Sequence, residues 1–237
     1  MRGRAVALAT RLRPALFSAR FPCWLGGAGL FVLSALVAPS PAQAQDRGAF
    51  PLDKPRERRS GLVVGLTSGL SVVSASGFPN SATQMGDPHY YSASGVVRGS
   101  STNLLIMGAL ADYLNFGFWA GGGTGENDDW KITSGGGGVR AEVFPLFYLV
   151  PTLRDLGAFG QFGVGSAKMD AKHGQAHGGD GVQSYIGTGA FYEFRLFNPW
   201  GTHFTLAPSL EYQAVFSQPF EQHGVVVGIR VALYGGP

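Results

Sequence analysis

The sequence predicts an all-β chain: an eight-stranded antiparallel up-and-down transmembrane β-barrel preceded by an N-terminal signal peptide. Three observations predict it. Apolar residues recur mostly at period two, 37 glycines are scattered through 237 residues with no collagen period, and a basic, apolar leader ends in small residues. The 17 Phe, 8 Tyr and 4 Trp argue against a disordered low-complexity chain.

The leader comes first. Arg2, Arg4, Arg11, Arg13 and Arg20 precede any acidic residue, an apolar run follows from Trp24 to Ala38, and Ala42-Gln43-Ala44 supplies a small-x-small cleavage site. The 15-residue run is short for a membrane-spanning helix, which needs about 20 residues, so residues 1–44 read as a signal peptide rather than an anchor. The formal charge of +3 belongs largely to this leader: the remaining 193 residues carry 13 Lys plus Arg and 15 Asp plus Glu, a net −2. A nucleic-acid partner loses its electrostatic support. Cys23 leaves with the leader, which excludes a disulfide framework or a cysteine metal site.

Residues 45–59, polar and carrying Pro51, Pro55 and the charged run Lys54 to Arg59, read as a flexible periplasmic lead-in. Residues 60–237 then form one barrel domain. Its strands are expected at about 61–73, 102–112, 115–123, 136–147, 156–168, 182–196, 202–215 and 223–234. Connections after the odd strands read as longer than those after the even ones, the asymmetry of a barrel with both termini in the periplasm. The sixth segment sets Ile186, Thr188, Ala190, Tyr192, Phe194 and Leu196 against Gln183, Tyr185, Gly187, Gly189, Phe191, Glu193 and Arg195. The seventh and eighth segments repeat the rule. In the second, Leu104-Leu105-Ile106-Met107 leaves the register open. Pro208 has no N–H for a ladder and predicts a bulge or a break in the seventh strand.

This register turns Arg140, Glu142, Glu193, Arg195, Glu211 and Arg230 inward, three bases and three acids. Eight strands leave room for side chains and not for a wide channel, so a salt-bridged plug is favoured over a pore, with a narrow conduit as the alternative. Gly65, Gly69, Gly117, Gly121, Gly163, Gly165, Gly187, Gly189 and Gly228 share the inward face, where they relieve crowding. The runs Gly121–Gly123 and Gly135–Gly138 join no strand to a helix and are not nucleotide loops. Trp119, Trp130, Tyr192, Trp200 and Tyr234 are expected in aromatic belts at the membrane interfaces.

Candidate chemistry is sparse. Asp170, His173, His177 and Asp180 are metal-capable but sit in a glycine-rich stretch that reads as a solvated loop, and Glu126, Asp128 and Asp129 read as an acidic tip. His203, Thr205 and Glu211 share a face, yet Glu211 is roughly 20 Å from Thr205 along an extended strand, too far for a triad. No catalytic residue, metal site or cofactor is expected.

On segments such as Gly187-Thr188-Gly189-Ala190-Phe191-Tyr192-Glu193-Phe194 and Leu210-Glu211-Tyr212, the chain resembles the small outer-membrane β-barrels of Gram-negative bacteria, of the OmpA-transmembrane or OmpW-like type. The resemblance spans about residues 60–234. It departs at the end, where Tyr234 is followed by Gly235-Gly236-Pro237 instead of closing the chain on an aromatic. It implies a noncatalytic protein inserted into the outer membrane by the β-barrel assembly machinery. It also implies outer-membrane lipids as partners and a role in envelope structure, adhesion or passage of small apolar compounds. A secreted soluble β-rich binding module is the third reading.

Overall fold

Period-two patterning commits each strand to two unlike faces, and closure into a ring gives each face its own environment. The computed structural model of the chain describes residues 59–174, 176–197 and 202–235, with the side chain of His177 excluded. The expected signal peptide at 1–44, lead-in residues 45–58 and Trp200 lie outside the described residues. Ten strands appear among those described: β1 Gly61–Gly77, β2 Ser92–Ala111, β3 Leu114–Glu126, β4 Trp130–Val143, β5 Leu156–Ala171, β6 His177–Gly179, β7 Gln183–Tyr192, β8 Phe194–Phe197, β9 His203–Phe216 and β10 Phe220–Gly235. Their order is β10-β1-β2-β3-β4-β5-β7-β9, with β9 pairing back onto β10. This is an eight-stranded closed antiparallel barrel. The short β6 and β8 hang from β5 and β9.

The expected contrast between long and short connections is corrected. At the end where β1 begins and β10 finishes (the near end), residues 144–155 form one of the longer connections, whereas at the far end residues 127–129 and 217–219 are tight turns. The cause is that strands continue through polar sequence: β2 starts at Ser92 and β3 runs to Glu126, because ladder hydrogen bonds do not require apolar side chains. Asn127 then closes the β3–β4 turn, its side-chain oxygen accepting the N–H groups of Asp129 and Trp130 at 3.0 and 2.7 Å.

Pro208 neither bulges nor breaks β9. Its pairing with Ile229 of β10 continues in register, and the interruption falls instead on the other neighbour, between β7 and β8 opposite Pro208. The N–H of Glu193, at that gap, turns to the carbonyl of Asp155 at 3.0 Å. The open register of the second strand resolves with Leu105 and Met107 inside and Leu104 and Ile106 outside. Leu105 pairs opposite Gly65 and Met107 opposite Gly117, so glycine on the neighbouring strand makes room for each.

Glycine pairing narrows the wall most across β3, β4 and β5, where Gly121 lies opposite Gly136, Gly136 opposite Gly165, and Gly138 opposite Gly163. A Cβ on Gly163 would stand 2.8 Å from the Cα of Gly138, whereas one on outward-facing Gly160 would meet nothing within 4 Å. Gly163→Val is therefore expected to cost about 3 kcal/mol or to prevent folding, while Gly160→Val leaves stability nearly unchanged. Urea unfolding of the refolded variants, read by the gel mobility of unheated samples, checks the pair.

Candidate functional site in the barrel interior

The inward faces assemble a continuous polar network in the near half of the barrel. From β10, Arg230 reaches Glu142 of β4 at 2.8 Å and Glu193, between β7 and β8, at 2.5 Å. Glu142 also pairs with Arg140 at 3.0 Å. Arg140 donates to the side-chain oxygen of Gln161 (2.9 Å), and the Gln161 amide donates to Glu211 (2.6 Å), which also accepts from Gln213 (2.8 Å). The Tyr234 hydroxyl donates to Glu193 at 2.5 Å, and the Asn115 amide donates to Glu142 at 3.1 Å. Every one of these side chains is buried.

Arg59, the final residue of the expected lead-in, completes the network. Its guanidinium pairs with Asp155 at 2.8 Å and Glu193 at 3.1 Å and donates to the Asp112 carbonyl at 2.9 Å, while its own N–H donates to the Asp112 carboxylate. Each buried arginine also lies over a phenylalanine ring: Arg59 on Phe144 and Arg140 on Phe159 at 3.5 Å, and Arg230 on Phe191 at 4.5 Å. Flat guanidinium groups can stack on an aromatic face while their edges keep donating, so they fill a narrow lumen without leaving their charge unanswered.

Above this network Trp119 packs on Tyr185 with ring centroids 4.4 Å apart. Toward the far end Ala75, Val97, Ile132, Met169, Val215 and Phe220 belong to one buried cluster, and Ser94, Ser101, Gln183 and Gln222 are buried at the same end. The far-end connections are joined across it: the Phe78 N–H donates to the Pro219 carbonyl at 2.7 Å, and the Gly179 N–H to the Phe78 carbonyl at 3.1 Å. Gly179 has a φ of +80°, and a Cβ there would collide with the Ala167 carbonyl, so glycine lets β6 lie this close to β5. Phe78, Tyr91, Pro219 and Phe220 help to line an open recess of about 190 Å³ beside this seam.

Of the expected interior residues, Arg140, Glu142, Glu193, Glu211 and Arg230 come together. Arg195 does not: it is exposed. β5 begins opposite Tyr192, so β8 pairs with β9 alone and its side chains project beyond the ring. Two aromatics expected at membrane interfaces are also corrected. Trp119 and Tyr234 are buried inside the barrel, as their odd and even positions on β3 and β10 require. Trp130 is half-buried and packs against the interior cluster, and Tyr192 is half-buried at the near rim.

The remaining candidates stay apart. Asp170 pairs with Lys168 at 3.1 Å and Glu126 with Lys172 at 3.3 Å, and among the described residues no three metal-capable side chains gather. The Thr205 hydroxyl donates to the Ala232 carbonyl and Glu211 is engaged by two glutamines, so His203, Thr205 and Glu211 form no triad.

No protein-family model matches the chain, and no curated protein matches it. Among solved structures, the chain is similar to the attachment invasion locus protein Ail of Yersinia pestis, with 11% identity over 73% of this chain and 99% of that one and a TM-score of 0.46. It is also similar to Neisserial surface protein A, with 13% identity over 74% and 99% and a TM-score of 0.43. A third similar structure is the N-terminal β-barrel domain of Pseudomonas aeruginosa OprF, with 14% identity over 74% and 99% and a TM-score of 0.38.

Replacing one member of the network removes a counter-charge from partners that are buried. Arg230→Met leaves Glu142 with Arg140 and Glu193 with Arg59 as their one remaining arginine each, and is expected to destabilise the barrel by about 3 kcal/mol. Exposed Arg195→Ala is expected to stay within about 0.5 kcal/mol of the parent. Equilibrium urea unfolding in detergent micelles, followed by tryptophan emission, checks both values.

Proposed function

We propose that the chain is a noncatalytic outer-membrane β-barrel whose filled interior makes it a scaffold, with any specific interaction carried by its far-end surface. The observation that carries the reading is the exterior. Leu66 and Leu70 on β1, Ile106 on β2, Phe118 on β3, Val139 on β4, Phe162 on β5, Ile186 on β7, Leu210 on β9 and Val227 on β10 are all exposed large apolar side chains. A ring of apolar surface around every wall strand is far more than a soluble monomer presents to water, and it matches what acyl chains require. On β1 the band runs from Leu62 to Val72, about 33 Å along the strand, which a tilt of roughly 40° turns into a height of about 25 Å.

Beyond that band the outward face becomes polar, with Arg98, Glu126, Lys131 and Lys168 at the far end. This polar rim suits the cell exterior and leaves the termini in the periplasm. Insertion by the β-barrel assembly machinery and contact with outer-membrane lipids follow from the same reading. The arginine network and the apolar cluster fill successive parts of the lumen, which favours a closed scaffold over the narrow conduit. The joined far-end connections and their recess supply the surface for an extracellular contact.

Two measurements check this. The mature chain is expected in the outer-membrane fraction with faster gel migration before boiling than after; recovery from the soluble periplasm with no mobility shift overturns the reading. Vesicles that contain the purified protein are expected to swell no faster in small sugars than protein-free vesicles; faster swelling overturns the closed interior and restores the conduit.

A further inference from the structure

The 144–155 connection is unlike the far-end connections. Residues 127–129 are Asn-Asp-Asp and 217–219 are Ser-Gln-Pro, but 144–153 reads Phe-Pro-Leu-Phe-Tyr-Leu-Val-Pro-Thr-Leu, ten residues without a charge. Its side chains divide between two sides of the near rim. Phe144 is buried beneath Arg59 and Phe147 lies 5.8 Å from the same guanidinium, while Tyr148 and Leu149 are 76% and 74% exposed. The exposed side is tied to the β2–β3 turn and to the end of β7. Tyr148 packs on Tyr113 with centroids 5.9 Å apart, and the Tyr192 hydroxyl donates to the Thr152 carbonyl at 2.9 Å.

The backbone of this loop is prepared for a dry setting. Phe144 donates its N–H to the Tyr113 carbonyl, Phe147 to Phe144, Leu149 and Val150 to Leu146, and Leu153 to Val150, all between 2.9 and 3.2 Å. Pro145 and Pro151 have no N–H to place. Irregular backbone is costly in hydrocarbon because its polar groups lack water, and here most donors are already answered within the loop or beside it. The apolar surface is also continuous with the belt: Tyr192 contacts Phe194 with centroids 5.0 Å apart, and Phe194, Leu196 and Phe197 of β8 are exposed next to it. Arg154, 47% exposed, stands at the loop's end where lipid phosphates would lie.

We propose that the 144–153 loop is a membrane-inserted anchor: it folds over the near rim and places Tyr148 and Leu149 among the acyl chains and headgroups of the periplasmic leaflet. The inference rests on the membrane reading above and adds a peptide segment outside the strands to the lipid-contacting surface. Because Phe144 and Phe147 hold its inner side under Arg59, the anchor is rigidly joined to the interior network. The lipid belt is therefore deeper on the β4–β8 side of the near end than elsewhere around the ring.

The test uses the mature chain, which has no native cysteine once the leader is removed, refolded into phosphatidylethanolamine–phosphatidylglycerol vesicles. Leu149→Cys is labelled with bimane, alongside Leu66→Cys in the belt and Asp128→Cys in the far-end turn; Tyr148→Cys replaces Leu149→Cys if that variant does not refold. Lipids brominated near the headgroup end of the acyl chains are expected to remove about half of the emission at position 149, and iodide is expected to remove little. Position 128 is expected to behave in the opposite way. Quenching of position 149 by iodide alone, with position 66 still quenched by brominated lipid, overturns the anchor and leaves the membrane reading intact. Quenching of position 149 by neither agent points to cover by a second copy or another protein and overturns the anchor as well. Failure of brominated lipid to quench position 66 overturns the membrane reading itself.

Discussion

Arg230 stands between Glu142 and Glu193, and the near half of the molecule is organised around that pair of contacts. The three residues belong to β10, β4 and the gap between β7 and β8, so one guanidinium ties together parts of the ring that no ladder hydrogen bond joins. Glu193 extends the tie to Arg59, which carries it to Asp155 and the β4–β5 connection. A buried ion pair is often no more stabilising than an apolar pair of the same volume, but breaking one is expensive. The network therefore acts mainly by excluding alternatives: a slipped strand would leave a buried carboxylate or guanidinium unanswered.

That lumen is narrow because the wall is closed by eight strands, and narrowness explains much of the composition. Inward positions must alternate between side chains that cross the lumen and residues that leave space for them. Leu105 faces Gly65 across the ladder, and Gln161 extends over Gly187, where a Cβ would stand 2.6 Å from the glutamine amide nitrogen. Outward positions have no such limit and carry the large apolar side chains. Glycine abundance and the apolar exterior are thus two consequences of one geometry.

Much of this was legible from period two alone. Strand number, the facing of nine named glycines and the convergence of Arg140, Glu142, Glu193, Glu211 and Arg230 follow from counting alternate positions. Two further members could have been found by extending the same count beyond the strand ends: Arg59 continues the odd-numbered inward set of β1, and Asp155 that of β5. Trp119 and Tyr234 also obey position, and reading them as interface aromatics put residue type ahead of facing. Arg195 fails for a reason the count does not contain, since its strand has lost a neighbour on one side. Loop lengths misled because strands keep pairing after their side chains become polar. The role of 144–155 was hidden because an apolar run beside a strand looks like more strand.

The account stands on the energetic coupling between Arg230 and Glu193. A double-mutant cycle with Arg230→Met and Glu193→Gln, measured by reversible unfolding in lipid vesicles, is expected to give a coupling of at least about 2 kcal/mol, because their buried contact at 2.5 Å is shorter than the one Glu193 makes with Arg59 or Arg230 makes with Glu142. Additive single effects, with coupling near zero, would mean that the two charges are separately satisfied and that the interior network does not hold the barrel together.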